Sequence, residues 1–558
     1  MSDKDTDAFV FLPLGGSGEI GMNLNLYGFG PAHKRQWIIV DLGVTFADET
    51  TPGVDIILPD TGFIEERAED LLAIVLTHAP EDHMGAVARL WPRLKAPIYA
   101  TPFTAWLVRD RLAELDLLDE VPVHEIGLNS QLTLGPFDLQ LITLTHSIPE
   151  PNGLAIRTPT GLVLHTGDWK IDPDPQIGAT TDVAALTALG EAGIDAIVCD
   201  STNVFSQGEA GSEGSVRAEL IAQVAKCEGK VALAAFASNV ARLESAIVAA
   251  QANDRHVCLV GRSMHRMTAA AKAVGLLSGA EPFVDEEEAG YLPPNKVLYL
   301  CTGSQGEPRA ALSRIAWGAH RHVTLGEGDT VLFSSRVIPG NEVAIYALQN
   351  QLAERGVEIV TDRMAPIHVS GHPCRNDLRA MYQWARPKAA IPVHGERRHL
   401  LEHVKFAREL QVASAYAPHN GDMIAINGEG VSCIDQVPAG RLILDGDTIT
   451  PLGSEALRAR KRMAYNGHVV VAFAIDAKGK LISDFDIRVS GLPSDDAEQM
   501  EGWLDDLADV AETALSKLDR RARADEAACE EAVVRALKRR VNATWRKRAH
   551  IEAVALRV

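Results

Sequence analysis

The stretch Thr77-His78-Ala79-Pro80-Glu81-Asp82-His83 directly follows an apolar run at residues 71–76. An apolar run that ends in a polar turn is typical of a buried strand that delivers side chains to a loop at its tip. Three of those side chains, His78, Asp82 and His83, are metal-ligand types within six consecutive positions. The sequence therefore predicts a metal site at the end of this strand, provided that other segments contribute further ligands.

Further ligand-type residues do follow other strand-like runs: His146 after residues 139–144, Asp168 after residues 162–165, and His394 after residues 389–393. Imidazole and carboxylate ligands suit Zn²⁺ or Mn²⁺, and a shared carboxylate can bridge two ions ~3.5–4 Å apart. Asp41, also at a strand end, is interpreted as a residue that orients a ligand histidine rather than as a ligand. The alternative, that each histidine is structural, does not account for their joint placement at strand ends.

Composition limits the classes of protein that this chain can belong to. Its 558 residues predict two or three domains, and no apolar run approaches the ~18 residues of a membrane span. No secretory signal is visible at the N-terminus, and the seven scattered cysteines lack a Cys-x-x-Cys pair, so we expect a cytoplasmic protein. A net charge of −21 argues against binding nucleic acid over the whole surface. Any polyanion must therefore meet a local cationic groove or metal ions.

The pattern of strand-like and helix-like segments changes twice along the chain. Residues 8 to about 200 alternate short strands with turns and helices, which predicts a layered α/β domain with its chemistry at strand tips. Residues from about 214 to 365 alternate helices with strands, which predicts a second α/β unit with its own parallel sheet, inserted into the first. From about 450 we expect a polar linker, a hairpin, two helices and a final strand. The last segment is locally basic, either as a solvated helix face or as an RNA contact.

A set of short motifs carries a resemblance to a known family: Leu14-Gly-Gly-Ser-Gly-Glu-Ile-Gly21, Thr145-His-Ser-Ile-Pro149, His165-Thr-Gly-Asp168, Asp200-Ser-Thr-Asn203, Cys301-Thr-Gly-Ser-Gln-Gly-Glu307, His368-Val-Ser-Gly-His372 and Pro392-Val-His-Gly-Glu396. Together these motifs resemble the ribonuclease J family, a β-CASP branch of the metallo-β-lactamases. The resemblance implies a metallo-β-lactamase αββα sandwich with an inserted β-CASP α/β domain and a small α+β C-terminal domain. We expect the metallo-β-lactamase domain at residues 1–210 and 367–448, the β-CASP domain at 211–366, a linker at 449–465 and the C-terminal domain at 466–558.

The resemblance also implies a ligand set for two Zn²⁺ ions per chain, with Mn²⁺ or Mg²⁺ as alternatives. One ion would bind His78, His146 and Asp168, and the other would bind Asp82, His83, Asp168 and His394. The family pattern is His-x-His-x-Asp-His, and this chain has Pro80 at the second histidine. Proline offers no ligand atom, so we expect the first ion to be weakly held.

Further roles are implied by position in the same motifs. Asp82, Asp200 and His372 are the expected catalytic residues, with His372 either donating a proton to the leaving oxygen or only binding phosphate. Other matches predict the substrate and structural sites: Ser238, Asn239, His368, Val369, Ser370, Gly371 and His372 for RNA phosphates, and Gly53, Asp55 and Asp445 for a structural Ca²⁺.

The function that the resemblance implies is metal-dependent hydrolysis of RNA. We expect a 5′→3′ exonuclease on 5′-monophosphorylated single-stranded ends, with some endonuclease activity, in RNA maturation and decay. The expected assembly is a homodimer or homotetramer that uses the C-terminal domain, with no membrane and within an RNA-degrading complex. Two alternatives remain: an RNA-binding or assembly subunit impaired by Pro80, and a small-molecule metallo-hydrolase. The last fits the charge but does not explain the inserted domain.

Overall fold

A computed structural model describes residues 6–277, 279, 282–494 and 497–558. The chain divides into two compact units, one formed by Met1–Thr45 with Leu58–Gly440 and the other by Phe46–Ile57 with Arg441–Val558. Among the described residues, no helix combines the length and apolarity that a membrane span needs.

The first unit contains a sandwich of two sheets. One sheet has the order β24 (Gly430–Gln436), β23 (Asp422–Asn427), β1 (Ala8–Gly15), β3 (Leu24–Gly30), β4 (Gln36–Leu42), β7 (Leu71–Val75), β8 (Ile98–Ala100) and β9 (Val123–Glu125). The other has the order β10 (Gln131–Leu134), β11 (Phe137–Thr143), β12 (Asn152–Thr158), β13 (Gly161–His165), β14 (Ala196–Asp200), β20 (Ala389–Val393) and β22 (Ser414–Ala415). Apolar side chains from both sheets, such as Phe11 and Val75 from one and Ile156 and Ile391 from the other, form a single buried cluster.

Helices flank the sandwich. Those of this part of the chain are α1 (Gly62–Glu65), α2 (Glu81–Met84), α3 (Val87–Leu94), α4 (Pro102–Ala113), α5 (Val183–Ala192), α12 (Arg375–Ala385) and α13 (Arg397–Glu409), with a 3₁₀ turn at Ala68–Asp70. Leu186, Leu378 and Phe406 pack into a second buried cluster with Ile197 of the sheet. One apolar cluster between the two sheets and another between a sheet and its helices fit the αββα layering that the family resemblance implies.

The inserted unit has its own five-stranded sheet, in the order β16 (His256–Val260), β17 (Val297–Cys301), β15 (Val231–Ala234), β18 (Thr330–Phe333) and β19 (Glu358–Thr361). The pairings of its neighbouring strands are all parallel among the described residues, which confirms the prediction from alternating strands and helices. Its helices are α6 (Glu213–Val224), α7 (Val240–Ala252), α8 (Arg262–Ala273), α9 (Glu286–Ala289), α10 (Ala311–Ala316) and α11 (Glu342–Glu354), with a 3₁₀ turn at Pro294–Lys296. The chain then returns through β20 to the sandwich, where β20 lies parallel to β14.

The second unit centres on a three-stranded sheet in the order β28 (Asp486–Ser490), β27 (His468–Ile475) and β29 (His550–Arg557). The strand β27 is antiparallel to β28 and parallel to β29, so the expected hairpin and final strand are both present. Its helices are α14 (Glu455–Asn466), α15 (Ala497–Ser516), α16 (Arg520–Arg523) and α17 (Glu526–Trp545). The remaining short strands are β2 (Ser17–Gly18), β5 (Thr45–Phe46), β6 (Ile56–Pro59), β21 (Gly395–Glu396), β25 (Arg441–Asp445) and β26 (Thr448–Pro451).

The segment predicted as a linker is more ordered than expected. Most of residues 449–465 belong to α14, whose first turn is capped by the Ser454 side chain, which accepts a hydrogen bond from Leu457 N. A serine cap before a run of Glu, Ala, Leu, Arg and Lys favours a helix even where little of it is apolar.

Candidate metal centre

The Thr77–His83 stretch turns into a short helix at Pro80. Strand β7 ends at Val75, and Pro80 is the N-cap of α2 with φ −69° and ψ 158°. Its carbonyl accepts hydrogen bonds from His83 N and Met84 N, each at 3.0 Å. Proline suits this position because its fixed φ matches the required backbone and the N-cap needs no intrahelical N–H donor. The helix then presents Asp82 and His83 on one side of the loop.

Four side chains converge into a compact set. Asp168 Oδ2 lies 3.1 Å from His83 Nε2 and 3.4 Å from His394 Nε2. Asp82 Oδ2 lies 3.5 Å and 3.8 Å from the same two nitrogens. Ligands held ~2.1 Å from a tetrahedral ion are about 3.4 Å apart, so the spacing fits Zn²⁺. We name these four residues, Asp82, His83, Asp168 and His394, the complete site.

A second set of three side chains shares Asp168. His78, His146 and Asp168 bring ligand atoms within 4.8 Å of one another, and His78 Nε2 lies 3.8 Å from Asp168 Oδ2. Among the described residues, neither His78 Nε2 nor Asp168 Oδ1 has a hydrogen-bond partner, although both atoms are buried. Buried polar atoms are normally paired, so these two fit a bound cation. We name His78, His146 and Asp168 the three-ligand site.

Asp41 orients histidines on both sides of the centre. Its Oδ2 lies 2.7 Å from His83 Nδ1 and also accepts the Thr77 hydroxyl at 2.8 Å. The Thr77 oxygen in turn lies 2.9 Å from His78 Nδ1. When each histidine donates from Nδ1, its Nε2 is left as the ligand atom, which is the usual arrangement behind metal-bound imidazole. Asp41 has φ +64°, an uncommon conformation for a residue other than glycine that helps aim its carboxylate.

The remaining histidines are oriented by Asn23, which the sequence analysis did not single out, and by the backbone carbonyl of Gly371, a residue predicted there only to bind phosphate. Asn23 Oδ1 lies 3.1 Å from His394 Nδ1, and Asn23 Nδ2 donates to Asp82 O at 3.0 Å. His146 Nδ1 lies 2.5 Å from Gly371 O. A Cβ at Gly371 would lie 2.6 Å from His146 Cε1, so only glycine allows this approach. Asn23 could have been found from its position just after the glycine-rich motif. The Gly371 carbonyl, which accepts the hydrogen bond of His146, could not, because a backbone group leaves no signal in side-chain type.

Pro80 leaves the three-ligand site without a replacement ligand from its neighbour. The Glu81 carboxylate forms an ion pair with Arg111 and is about one-third exposed. This carboxylate is thus already paired with the guanidinium of Arg111 on helix α4. The groups of ligand-type side chains found among the described residues include no group that contains Glu81.

Electrostatics differ between the two sets. Burial and the neighbouring His83 hold the pKa of His78 well below its usual value, and burial and His372 lower the pKa of His146 to about 4. Burial also disfavours a charged His83, but Asp168, Asp82 and Asp41 outweigh it and raise the pKa of His83. Burial likewise opposes the charge of Asp168, yet His394 and His83 keep the pKa of Asp168 well below its usual range. The lowered pKa values of His78 and His146 favour neutral imidazoles in the three-ligand site, the form that binds a cation directly, beside the ionised Asp168.

Asp200 and His372 form a pair beside the metal centre. Asp200 Oδ2 lies 2.8 Å from His372 Nδ1, while Asp200 Oδ1 accepts from Thr202 N and Oγ1. Burial opposes the charged imidazole, but Asp200 and Asp168 raise the pKa of His372 to about 9. Because Nδ1 donates to Asp200, Nε2 is the ring nitrogen available to a substrate oxygen.

The predicted phosphate-binding residues lie at the N-terminus of α7 and in the loop that leads to His372. Asn239 caps α7, its side-chain oxygen accepting from Arg242 N at 2.8 Å. The buried Arg242 donates to the Glu213 carboxylate from Nε and Nη2, and its Nη1 donates to Ile367 O at 3.1 Å. Arg242 therefore connects the Ser238–Asn239 turn to the loop that begins at His368, a tie that the sequence analysis missed. Burial and Arg242 lower the pKa of His368 to about 3, so this imidazole is neutral.

The residues predicted to bind a structural cation lie next to a guanidinium. Asp445 Oδ2 forms an ion pair with Arg460 at 2.7 Å, and a Cβ at Gly53 would lie 3.4 Å from Arg460 Nη1. Asp55 belongs to the same unit. The Ca²⁺ site stays a prediction, and Arg460 already supplies a positive charge beside Asp445.

Family profiles match most of the chain. They are the β-lactamase superfamily domain at residues 36–197, the ribonuclease J β-CASP domain at 228–352, the Zn-dependent metallo-hydrolase RNA specificity domain at 356–418, and the ribonuclease J C-terminal domain at 455–558. The last match includes α14, which the sequence analysis placed in a linker. These matches confirm the expected architecture of an inserted β-CASP domain and a separate C-terminal domain.

Whole-chain relatives agree with the profiles. A ribonuclease J from Sinorhizobium meliloti is 44% identical over 97% of this chain and 96% of its own length. A ribonuclease J from Corynebacterium glutamicum is 37% identical over 96% of this chain and 74% of its own length. A solved structure of a protein of unknown function from Enterococcus faecalis, at 16% identity, covers 75% of this chain and all of its own with a TM-score of 0.52, which supports the fold alone. The chain therefore belongs to the ribonuclease J family of metal-dependent ribonucleases.

Proposed function

We propose that this chain degrades RNA 5′→3′ from 5′-monophosphorylated ends, with some endonucleolytic cleavage, in RNA maturation and decay. The observation that supports it most is the complete site, where the two carboxylates lie 3.1–3.8 Å from the Nε2 atoms of the two histidines, beside the Asp200–His372 pair. RNA phosphodiesters are anionic, so hydrolysis needs charge neutralisation and a nucleophile available near pH 7. Zn²⁺ ions held by these residues would supply both.

The remaining chemistry belongs to side chains of this protein. Asp200 holds the His372 ring in place through Nδ1, which leaves Nε2 free to face the leaving 3′ oxygen. That oxygen needs a proton, and a positioned imidazole is the commonest donor. Asn203 steadies the loop by donating to Ser370 Oγ at 2.6 Å and to His372 O at 3.1 Å. The proposed proton donor, His372, is therefore held in place by the Asp200 carboxylate and by a loop that Asn203 stabilises.

A pocket for the terminal 5′ phosphate would form between the N-terminus of α7 and residues 368–372. A helix N-terminus carries partial positive charge and unpaired N–H groups, both of which suit phosphate. Arg242 would support this pocket by joining its two segments. Its positive charge contributes little, because the Glu213 carboxylate neutralises that charge. A held end phosphate would set the distance from the RNA terminus to the scissile bond.

The test compares RNAs of one sequence that carry a 5′-monophosphate, 5′-triphosphate or 5′-hydroxyl. We expect the monophosphate to be degraded at least ~10-fold faster than the others, equivalent to about 1.4 kcal/mol. Ser238→Ala should reduce this preference, while Ser432→Ala, at an exposed position on β24, should not. Equal rates on all three ends would refute the pocket and leave the metal centre unaffected.

Pro80 favours a second candidate, an RNA-binding or assembly subunit with little catalysis. The same RNA separates the two if binding and cleavage are measured together, with and without added Zn²⁺ or Mn²⁺. Tight binding without cleavage under both conditions would favour the second candidate. The expected homodimer or homotetramer, the RNA-degrading complex and the cytoplasmic location stay predictions.

A further inference from the structure

A second group of metal-ligand side chains lies in the C-terminal unit, on one face of its three-stranded sheet. His468 opens β27 and lies directly opposite His550, which opens β29 in the parallel pair. Glu552 follows two residues after His550 and therefore points to the same face. The alternate residues Val469 and Ile551 are buried on the other face of the sheet.

The three side chains are close enough to share an ion. His550 Nε2 lies 2.8 Å from Glu552 Oε1, and His468 Nε2 lies 3.9 Å from the same oxygen. The two imidazoles stack with ring centroids 5.3 Å apart and an interplanar angle of 25°. These distances bracket the ~3.4 Å between ligands of a tetrahedral Zn²⁺.

His550 and Glu552 form a hydrogen bond with each other, but this bond does not involve the Nε2 atom of His468. His468 Nε2 is buried and, among the described residues, has no hydrogen-bond partner. A buried polar atom without a partner costs free energy, so it is rare unless something else satisfies it. A cation held by all three side chains would satisfy it.

We propose that His468, His550 and Glu552 bind a divalent transition-metal ion, with Zn²⁺ as the best fit. Two imidazoles and one carboxylate are ligands that Zn²⁺ prefers, and a water would complete a four-coordinate site. The ion would cross-link the first residues of β27 and β29, strands that are far apart in sequence. Its role would therefore be structural, fixing the last strand of the chain in its sheet. This site is independent of the nuclease proposal because none of its residues belongs to the catalytic centre.

The first test measures bound zinc in the metal-stripped full-length protein after equilibration with Zn²⁺. We expect the unaltered chain to bind one equivalent more than His468→Ala or Glu552→Gln. The matched control is His256→Ala, because His256 is an exposed histidine that likewise opens a strand, and this variant should bind as much zinc as the unaltered chain. Equal zinc in all four proteins would overturn the proposal.

A second test reports on structure and guards against a variant that fails to fold. Glu552→Gln replaces the carboxylate by an amide of the same size on a side chain that is 56% exposed, so the fold should tolerate it. Zn²⁺ should raise the midpoint of thermal unfolding of His394→Ala, a background with a damaged candidate metal centre, and this shift should become smaller when Glu552→Gln is added. Substituting Co²⁺ should give tetrahedral absorption bands that Glu552→Gln diminishes. The same shift with and without Glu552, or unchanged Co²⁺ bands, would exclude an ion at this cluster.

Discussion

The two halves of the candidate metal centre share the Asp168 carboxylate and the orienting residue Asp41, yet they differ in the number of ligand-type side chains. The complete site has Asp82 and His83 from one short helix, Asp168 and His394. The three-ligand site has His78, His146 and the same Asp168, with Pro80 where the family pattern has a histidine. Asp41 reaches both halves, directly to His83 and through Thr77 to His78.

The difference shows that orientation and ligand count are separate properties. The three-ligand site keeps its supports, since His146 is held by Gly371 O and His78 by Thr77. It lacks only a third imidazole ligand. His78 Nε2, which has no hydrogen-bond partner among the described residues, still lies 3.8 Å from Asp168 Oδ2. Three protein ligands are enough for many catalytic zinc sites, so the loss predicts weak binding rather than a collapsed site.

The largest effect should come from the half that is complete. We expect His394→Ala to remove one bound metal equivalent and to lower nuclease activity by roughly a thousandfold, about 4 kcal/mol. The reason is that a lost ligand leaves the cation under-coordinated. Metal analysis and RNA turnover check it, with His124→Ala, an exposed histidine stacked on Tyr99, as the control. An unchanged metal content in His394→Ala would remove this residue from the ligand set.

A smaller effect of opposite sign should come from restoring the missing donor. We expect Pro80→His to raise the metal content by up to one equivalent and turnover by about tenfold, close to 1.4 kcal/mol. Pro80→Ala is the matched control, because it removes the ring without adding a ligand and should gain neither metal nor rate. If the unaltered chain already binds two ions at this centre, and Pro80→His raises neither metal content nor turnover, the two halves do not differ in metal binding.

The smallest effect should come from the residue next to the gap. Glu81 pairs with Arg111, and both side chains are about one-third exposed. We expect Glu81→Gln to change turnover less than ~2-fold and stability by about 0–1 kcal/mol, the usual range for exposed ion pairs. Glu114→Gln, which removes another carboxylate partner of Arg111, should behave alike. A large loss of metal in Glu81→Gln alone would mean that Glu81 is the replacement donor.

The architecture was predictable because it depends on repeated local patterns. Alternating helices and strands between residues 214 and 365 predicted a parallel sheet, and the return of the chain at residues 389–393 predicted an insertion. Both follow from the need to bury an apolar face on each element. The helix Glu455–Asn466 was missed because polarity was given more weight than a serine cap and good helix-forming residues.

The site was predictable only in part because its supports are distant and chemically ordinary. Imidazoles and carboxylates at strand ends identify candidate ligands, and their roles stay predictions. Asn23 meets His394 across 371 positions, and Gly371 meets His146 across 225. Neither an asparagine nor a glycine carbonyl suggests a metal centre by its type. Arg460 beside Asp445 likewise could not be placed without the fold.

The inserted domain also affects how the protein is made. His78 and His83 leave the ribosome about three hundred residues before His394, which arrives only after the whole β-CASP sheet. At a synthesis rate of about 5–20 residues per second, the early histidines wait roughly 15–60 s for their last partner. During that interval the nascent chain has an incomplete ligand set and thus no finished catalytic centre. The centre therefore cannot be complete until translation has passed His394, at which point 164 residues of this chain are still to be made.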